Sequence, residues 1–99
     1  MKTTIYEEDG KMIAAFEGRL DTAAAVLCAQ DVEPLNNTDK DIVLECSNLS
    51  YISSSGLRIF LNIRKSAATK GKKVTVKNIN DEIRKVFQMT GFMSLFEIA

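Results

Sequence analysis

A short apolar run near the middle of the chain, Ile42-Val43-Leu44, limits the architectures that are open to it. The run is too short for a typical helix, and it suits a strand that is covered on both faces. Segments with the apolar spacing of helices stand on either side of it. A buried strand between helices is typical of an α/β fold with parallel strands, and we expect this run to form the central strand.

Three other segments have the character of strands. Residues Thr3 to Glu17 predict two strands joined at Asp9-Gly10, a dipeptide that tolerates positive φ and suits a tight hairpin turn. Residues Lys73 to Lys77 alternate valines with polar side chains, which indicates another strand. The last candidate, Leu95 to Ile98, is expected at an edge of the sheet.

Two helices are predicted around the central strand. Thr22 can cap the first, which runs through a series of alanines until Pro34 ends or kinks it. The second begins at Ser54 or Ser55 and runs to Thr69, with a glycine soon after as its natural stop. Its apolar face is expected to consist of Leu57, Phe60, Leu61 and Ala68.

A third helix is predicted from Asn80 to Gly91, with acidic residues at its positive end. The order of elements is then β-β-α-β-α-β-α-β, with right-handed βαβ crossovers. The expected fold class is α/β, with a mixed, mostly parallel sheet, an N-terminal hairpin and about three main helices. A length of 99 residues predicts one domain over residues 1–99.

Composition removes several classes of function. The chain contains no histidine, which excludes imidazole bases, Ser-His triads and His-containing metal sites. Lys plus Arg equals Asp plus Glu at 13 each, so no excess of charge draws the protein to nucleic acid or to a membrane. Cys28 and Cys46 lie in apolar runs and are expected to be reduced core residues of a cytoplasmic protein. We expect neither a cofactor nor a metal ion.

Hydroxyl groups are concentrated at the turn that leads into the second helix, where Ser53, Ser54, Ser55 and Gly56 follow one another. The first amides of a helix lack partners and favour an anion, such as a phosphate or a phosphorylated serine. Gly56 is expected to let another backbone come close. The plainer interpretation is that one serine caps the helix and the others fill a turn. A catalytic serine has no support, since the chain lacks both histidine and a Gly-x-Ser-x-Gly pattern.

Charge is unevenly distributed along the chain. Residues 1–53 hold 4 basic and 10 acidic side chains, net −6, and residues 54–99 hold 9 basic and 3 acidic ones, net +6. One interpretation is that cations along and after the second helix steer an acidic partner surface. The other, which we favour from the sequence, is that interleaved strands mix the two halves in space. The cations concerned are Arg58, Lys65, Lys70, Lys72 and Lys73.

Five segments resemble the signature of the STAS family of bacterial anti-sigma factor antagonists. Ile42–Leu44, Leu49–Ile52 and Ser54–Arg58 follow in the family's order. Gly18–Asp21 is similar to its early Gly-x-Leu-Asp turn, and Val86–Phe92 resembles its late helix that ends in a glycine. Together these segments span nearly the whole chain.

The resemblance implies a domain that binds an anti-sigma factor, usually a serine kinase of the GHKL ATPase type, and so releases a sigma factor. It implies a switch by phosphorylation, reset by a phosphatase. In the family pattern Asp-Ser-Ser-Gly-Leu the phosphoacceptor falls on Ser54. Ser53, which stands at the aspartate position, and Ser55 are the alternative phosphoacceptors. The residues expected to bind the partner are Asp21, Ser53, Ser54, Ser55, Gly56, Arg58 and Ile59.

Three side chains of the second helix have alternative roles. Arg58 lies four residues after Ser54, so it either pairs with a phosphate there or is simply solvated. Ile59 falls outside the apolar arc and is either a partner contact or an isolated exposed residue. Arg64 falls inside the arc, where its head group is expected to pass the edge of the core.

The resemblance leaves a second function open. The chain can instead be a STAS subunit with a structural role in a lipid transport complex or a large stress-sensing assembly, in which the serine turn only caps a helix. An enzyme is the least supported class. Co-purification with a kinase-like partner, rather than with a transporter ATPase or a high-mass particle, distinguishes the first function from the second.

Overall fold

The computed structural model describes residues 1–99 and contains five strands, four α-helices and one 3₁₀ turn. The strands are β1 (Lys2–Glu8), β2 (Lys11–Leu20), β3 (Ile42–Ile52), β4 (Val74–Lys77) and β5 (Glu97–Ile98). The helices are α1 (Thr22–Asp31), α2 (Glu33–Asn36), α3 (Ser54–Ala68) and α4 (Asp81–Thr90), and the 3₁₀ turn covers Phe92–Ser94. None of the helices is both long enough and apolar enough to cross a membrane.

The strands form one mixed sheet in the order β1-β2-β3-β4-β5. The pair β1 and β2 is antiparallel, and every other neighbouring pair is parallel. The predicted fold class is therefore confirmed, and the run Ile42–Leu44 lies in the central strand. That strand is longer than its apolar run, because it continues through two irregularities of register to Ile52.

Local sequence determines most of the turns and breaks as expected. Asp9 and Gly10 have φ values of 54° and 75°, the pair of left-handed conformations that a two-residue hairpin favours. Pro34 neither ends nor kinks the first helix as predicted, because α1 already ends at Asp31 and Pro34 lies in the first turn of a separate short helix, α2. Gly91 closes α4 in a left-handed conformation, with φ 79°.

The three βαβ crossovers all move one strand in the same direction, so right-handed connections place the helices on one face of the sheet. On that face Ala14, Leu44 and Val76 are aligned across three strands, and each is 0% exposed. Val43 faces the opposite side beside Ile13, yet it is only 5% exposed. The central run is thus buried on both faces, as predicted.

The apolar face of α3 differs from the predicted one. Leu57 and Phe60 are buried, but Leu61 is only half-buried and Ala68 is exposed. The buried arc is wider than the sheet alone requires, because α3 also packs against α1. The buried residues of the helix are Gly56, Leu57, Ile59, Phe60, Ile63 and Ala67.

The order of the strands decides the question of charge. Since the strands lie side by side in the order of the sequence, β1, β2 and β3 of the acidic half stand on one side of the sheet and β4 and β5 of the basic half on the other. Our preferred interpretation, that interleaved strands mix the halves, is wrong. The physical reason is that each crossover returns to the neighbouring position in the sheet and never reverses direction.

Both cysteines are free and buried, as predicted for reduced core residues. Burial raises the pKa of the Cys46 thiol to about 12. Burial also raises the pKa of Cys28, against a hydrogen bond from Thr3 that lowers it. Neither thiol has the thiolate character that reactive cysteines need.

Candidate functional site

Three helices begin at the same edge of the sheet, where the parallel strands β2, β3 and β4 end. Helix α1 starts two residues after Leu20, α3 starts two residues after Ile52, and α4 follows β4 by a short loop. We call this end of the sheet the carboxyl edge. Each helix directs its unpaired amides and the positive end of its dipole to that edge, which makes the edge favourable to negative charge.

Each of the three helices has a side-chain cap. Asp21, Ser53 and Asn80 accept hydrogen bonds from the amides three residues on, at 2.8, 3.2 and 2.8 Å. The prediction that Thr22 caps α1 is wrong, because Asp21 holds the extended backbone of a cap and Thr22 is already helical. The carboxylate of Asp21 is therefore engaged within the protein.

The serines at the start of α3 differ in exposure. Ser53 is 8% exposed, and its hydroxyl oxygen is occupied by the capping bond. Its amide donates to the carbonyl oxygen of Leu20 at 2.9 Å, which ties the ends of β2 and β3 together. Ser54 is exposed and Ser55 is half-buried. The tertiary structure thus presents Ser54 to solvent and withholds Ser53.

Gly56 lies at the tightest point of this turn. A Cβ atom there would stand 2.8 Å from Ile52 Cγ1 and 2.8 Å from Leu20 Cγ. The expectation that another backbone comes close is wrong, since the close neighbours are two core side chains. The absence of a side chain at Gly56 lets the first turn of α3 rest directly on the ends of β2 and β3.

The first amides of α3 are available to an anion. The Gly56 amide donates to the Ser53 side chain and the Leu57 amide to the Ser53 carbonyl, whereas the amides of Ser54 and Ser55 donate to no protein acceptor. Free amides at a helix start are the donors that phosphate oxygens accept from. This geometry can therefore hold a phosphate on or near Ser54 without breaking an existing bond.

Arg58 is exposed on α3, one turn after Ser54, and it forms neither an ion pair nor a side-chain hydrogen bond. With Ser55 and Ile59 it forms one wall of a shallow groove of about 340 Å³ between α3 and α1. A guanidinium without a protein partner is free to meet a new anion. The structure thus leaves Arg58 exposed, one helical turn from Ser54 and without an ionic partner.

The structure corrects the expected position of Ile59. We expected its side chain on the outer flank of the helix, but it is only 8% exposed because α1 packs over that flank. It reaches the surface only as part of the groove. On the facing wall Val26 of α1 is 64% exposed, a residue that periodicity gave no reason to select.

Two further side chains near the carboxyl edge escaped sequence analysis. The guanidinium carbon of Arg19 lies 4.3 Å from the centre of the Tyr51 ring, a cation–π contact. The two residues are paired across β2 and β3, just after an irregularity of register. No sequence pattern predicts such an irregularity of register, so the pairing of Arg19 with Tyr51 could not be predicted.

The basic residues of α3 and the following loop do not gather at this edge. Helix α3 has 15 residues and is therefore about 22 Å long. Arg58 stands near its start, whereas Lys70, Lys72 and Lys73 follow its end. Of the proposed steering cations, only Arg58 lies beside the serines.

Comparison with known proteins identifies the fold and the family. The model of the STAS domain family matches residues 2–99. The chain belongs to this family. BtrV of Bordetella bronchiseptica, provisionally named an anti-sigma factor antagonist, is 32% identical over 100 residues, which cover 100% of this chain and 86% of BtrV. The resemblance noted in the sequence is confirmed.

Solved structures share the architecture of this STAS domain. An anti-sigma factor antagonist from Mycobacterium paratuberculosis superposes with a TM-score of 0.88 at 18% identity, over 98% of this chain and 83% of the other. Unphosphorylated SpoIIAA superposes with a TM-score of 0.76 at 17% identity, over 99% and 87% of the two chains. At these identities the likeness establishes the fold alone.

Proposed function

We propose that this STAS domain is a phosphorylation-switched anti-sigma factor antagonist that acts in the cytoplasm by binding and not by catalysis. Unphosphorylated, it binds an anti-sigma factor of the serine-kinase type and so releases a sigma factor for transcription. The kinase then phosphorylates Ser54, which weakens binding, and a phosphatase removes the phosphate. ATP belongs to the kinase partner.

The exposure of Ser54 is the observation that carries the proposal. Ser54 is the first residue of α3, and its hydroxyl is open to a kinase, whereas Ser53 is 8% exposed and committed as the cap. Ser55 is half-buried and makes a poorer substrate. Among the three candidate phosphoacceptors, the geometry therefore favours Ser54.

The architecture tolerates a phosphate at this position. Phosphoserine carries a charge of about −1.5 to −2 at pH 7, and the free amides of Ser54 and Ser55 stand where such a charge is stabilised. Arg58 supplies a counter-charge one turn along. The expected effect of phosphorylation is a local change of surface with an unchanged fold.

The loss of affinity follows from desolvation. Enclosing a phosphate at an interface costs several kcal/mol of desolvation, the single charge of Arg58 offsets only part of that cost, and each ~1.4 kcal/mol is tenfold in affinity. The groove between α3 and α1 begins beside Ser55, so a partner seated there would enclose a phosphate on Ser54. We expect binding to fall by a factor of about 100 or more.

The test is a titration of a purified kinase-type anti-sigma partner with wild-type protein, Ser54→Ala and Ser54→Asp. We expect Ser54→Ala to bind like the wild type and Ser54→Asp to bind at least about tenfold more weakly. Incubation with ATP and the kinase should modify the wild type and leave Ser54→Ala unmodified by mass spectrometry. Equal affinities for all three proteins would reject Ser54 as the switch.

Two controls separate repulsion from unfolding. Gln30→Glu adds the same charge at an exposed position near the end of α1, far from Ser54, and should leave affinity unchanged. Circular dichroism of Ser54→Asp should show the helix content of the wild type. Co-purification with a transporter ATPase or a high-mass particle, with no kinase partner, would favour the structural role instead.

A further inference from the structure

Three cations from two parts of the chain meet at the end of the sheet opposite the carboxyl edge. Arg64 belongs to the second half of α3, and Lys72 and Lys73 lie in the loop that leads to β4. All three line a cavity of about 270 Å³, which the segment Ser94–Glu97 bounds on its other side. We propose that this cavity binds a small anion that carries phosphate.

Arg64 is the anchored member of the group. It is half-buried, and its Nε donates to the carbonyl oxygen of Leu95, so α3 holds the C-terminal segment through this side chain. We expected the head group of Arg64 to pass the edge of the core, and in the structure it ends at the backbone carbonyl of Leu95. The guanidinium pairs with no carboxylate, which leaves its terminal N–H groups free for two oxygens of one phosphate.

The charges lining the cavity favour an anion. Lys72 has no carboxylate partner, and the only ion pair among the residues that line the cavity is between Lys73 Nζ and Glu97 Oε1 at 3.6 Å. Three cations and one carboxylate line the cavity, so its formal charge is +2. The end of α3 contributes about half a negative charge, which is too little to reverse that sign.

The size of the cavity favours a small ligand over an acidic protein segment. The cavity is bounded by α3, the loop before β4 and the first residue of β4 on one side, and by the segment Ser94–Glu97 on the other. Its volume lies at the lower end of small-molecule sites. Because Arg64 also holds the Leu95 carbonyl, a ligand that bridged Arg64 and Lys72 would help to hold β5 in place.

The test is a calorimetric titration with pyrophosphate at constant ionic strength, together with amide chemical shifts from NMR. We expect saturable binding, with shifts confined to the residues around Arg64, Lys72 and the C-terminal segment. Lys72→Gln should weaken binding about tenfold, the effect of one charge-assisted hydrogen bond. Glu97→Gln should tighten it several-fold, because it removes the only carboxylate of the cavity.

Lys65→Gln is the matched control, since Lys65 is exposed on α3 but does not line the cavity. If Lys65→Gln and Lys72→Gln lost the same affinity for pyrophosphate, the binding would be a general attraction between charges, and the proposal would be overturned. Absence of saturable binding at millimolar pyrophosphate would overturn it too, as would binding of a hexaglutamate peptide in place of pyrophosphate. None of these measurements involves the anti-sigma partner, so the outcome is independent of Ser54.

Discussion

At the residue scale, Ser53 determines what the neighbouring serine can do. Its hydroxyl accepts the Gly56 amide inside the protein, and its own amide bonds to the end of β2. Ser53 thus performs locally what the aspartate of the family pattern can also perform, because aspartate and serine are both good caps. The exchange removes a charge beside Ser54 and keeps the cap.

This role predicts the effect of replacing Ser53. Ser53→Ala should lose about 1 kcal/mol of stability, because the Gly56 amide loses its acceptor, and Tm should fall by roughly 4–8 °C. Ser53→Asp should keep the cap and the wild-type stability. Urea and thermal unfolding, each followed by circular dichroism, measure the stability and the Tm of both variants. An unchanged midpoint in Ser53→Ala would show that the capping bond contributes nothing.

Gly56 supports a second prediction at this scale. In Gly56→Ala the new methyl group meets Leu20 and Ile52 at 2.8 Å, and such overpacking costs about 1–3 kcal/mol. The better helix propensity of alanine offsets about 1 kcal/mol of this cost. We expect a net loss of about 1 kcal/mol in urea unfolding. Asn62→Ala, at an exposed position of the same helix, should lose nothing.

At the scale of elements, β3 is joined to the end of β4 by side chains as well as by backbone. Asn78, in a left-handed conformation with φ 62°, donates to both carboxylate oxygens of Glu45 at 3.0 and 3.2 Å. Burial alone would raise the pKa of Glu45, but these bonds and those from Ser47 lower it. The folded state therefore prefers the ionised carboxylate.

The lowered pKa predicts a dependence of stability on pH. The contribution of Glu45 is present above the pKa of the unfolded chain, near 4.5, and is lost as pH falls through the lower pKa of the folded state. Glu45→Gln should therefore be less stable than the wild type at pH 7 and closer to it at pH 3. Urea midpoints at the two pH values measure the difference. A constant gap between the two proteins would contradict this expectation.

At the scale of the whole molecule, a chain of aromatic rings runs through the core between the helices and the sheet. Phe60 lies between Phe16 and Phe87, with ring centroids at 5.2 and 6.4 Å. Phe87 continues the contact to Phe92 and Phe96 at 5.6 and 6.2 Å. The cluster connects β2, α3, α4 and the C-terminal segment, so we expect these elements to unfold together.

The central position of Phe60 predicts a large contribution of its side chain to the stability of the fold. Phe60 is 0% exposed, and Phe60→Ala should cost about 3–5 kcal/mol, a large share of the stability of a small domain. Phe92→Ala, at the half-buried margin of the same cluster, should cost clearly less. Urea unfolding of both variants compares them. If both variants lost the same stability, the central position of Phe60 would carry no extra contribution to the fold.

The elements of this STAS domain could be predicted because their signals are local. The hairpin turn at Asp9-Gly10, the cap at Asn80 and the left-handed stop at Gly91 depend on conformational preferences of a few neighbouring residues. The prediction failed at Thr22, where two adjacent residues both make good caps and only the backbone conformation distinguishes them. The segments resembling the family motifs directed attention to Ser54.

The sequence alone was enough to predict the order of strands and helices and the serine turn at a helix start. These features depend on periodicity and capping, which act over a few neighbouring residues. Only the tertiary structure decided that Ser53 is buried, that Ile59 packs under α1, and that the strands of the two charged halves do not interleave. It alone placed Arg64 beside Lys72 and the C-terminal segment. These facts depend on which distant surfaces meet, and contacts between residues far apart in the chain leave no periodic trace along it.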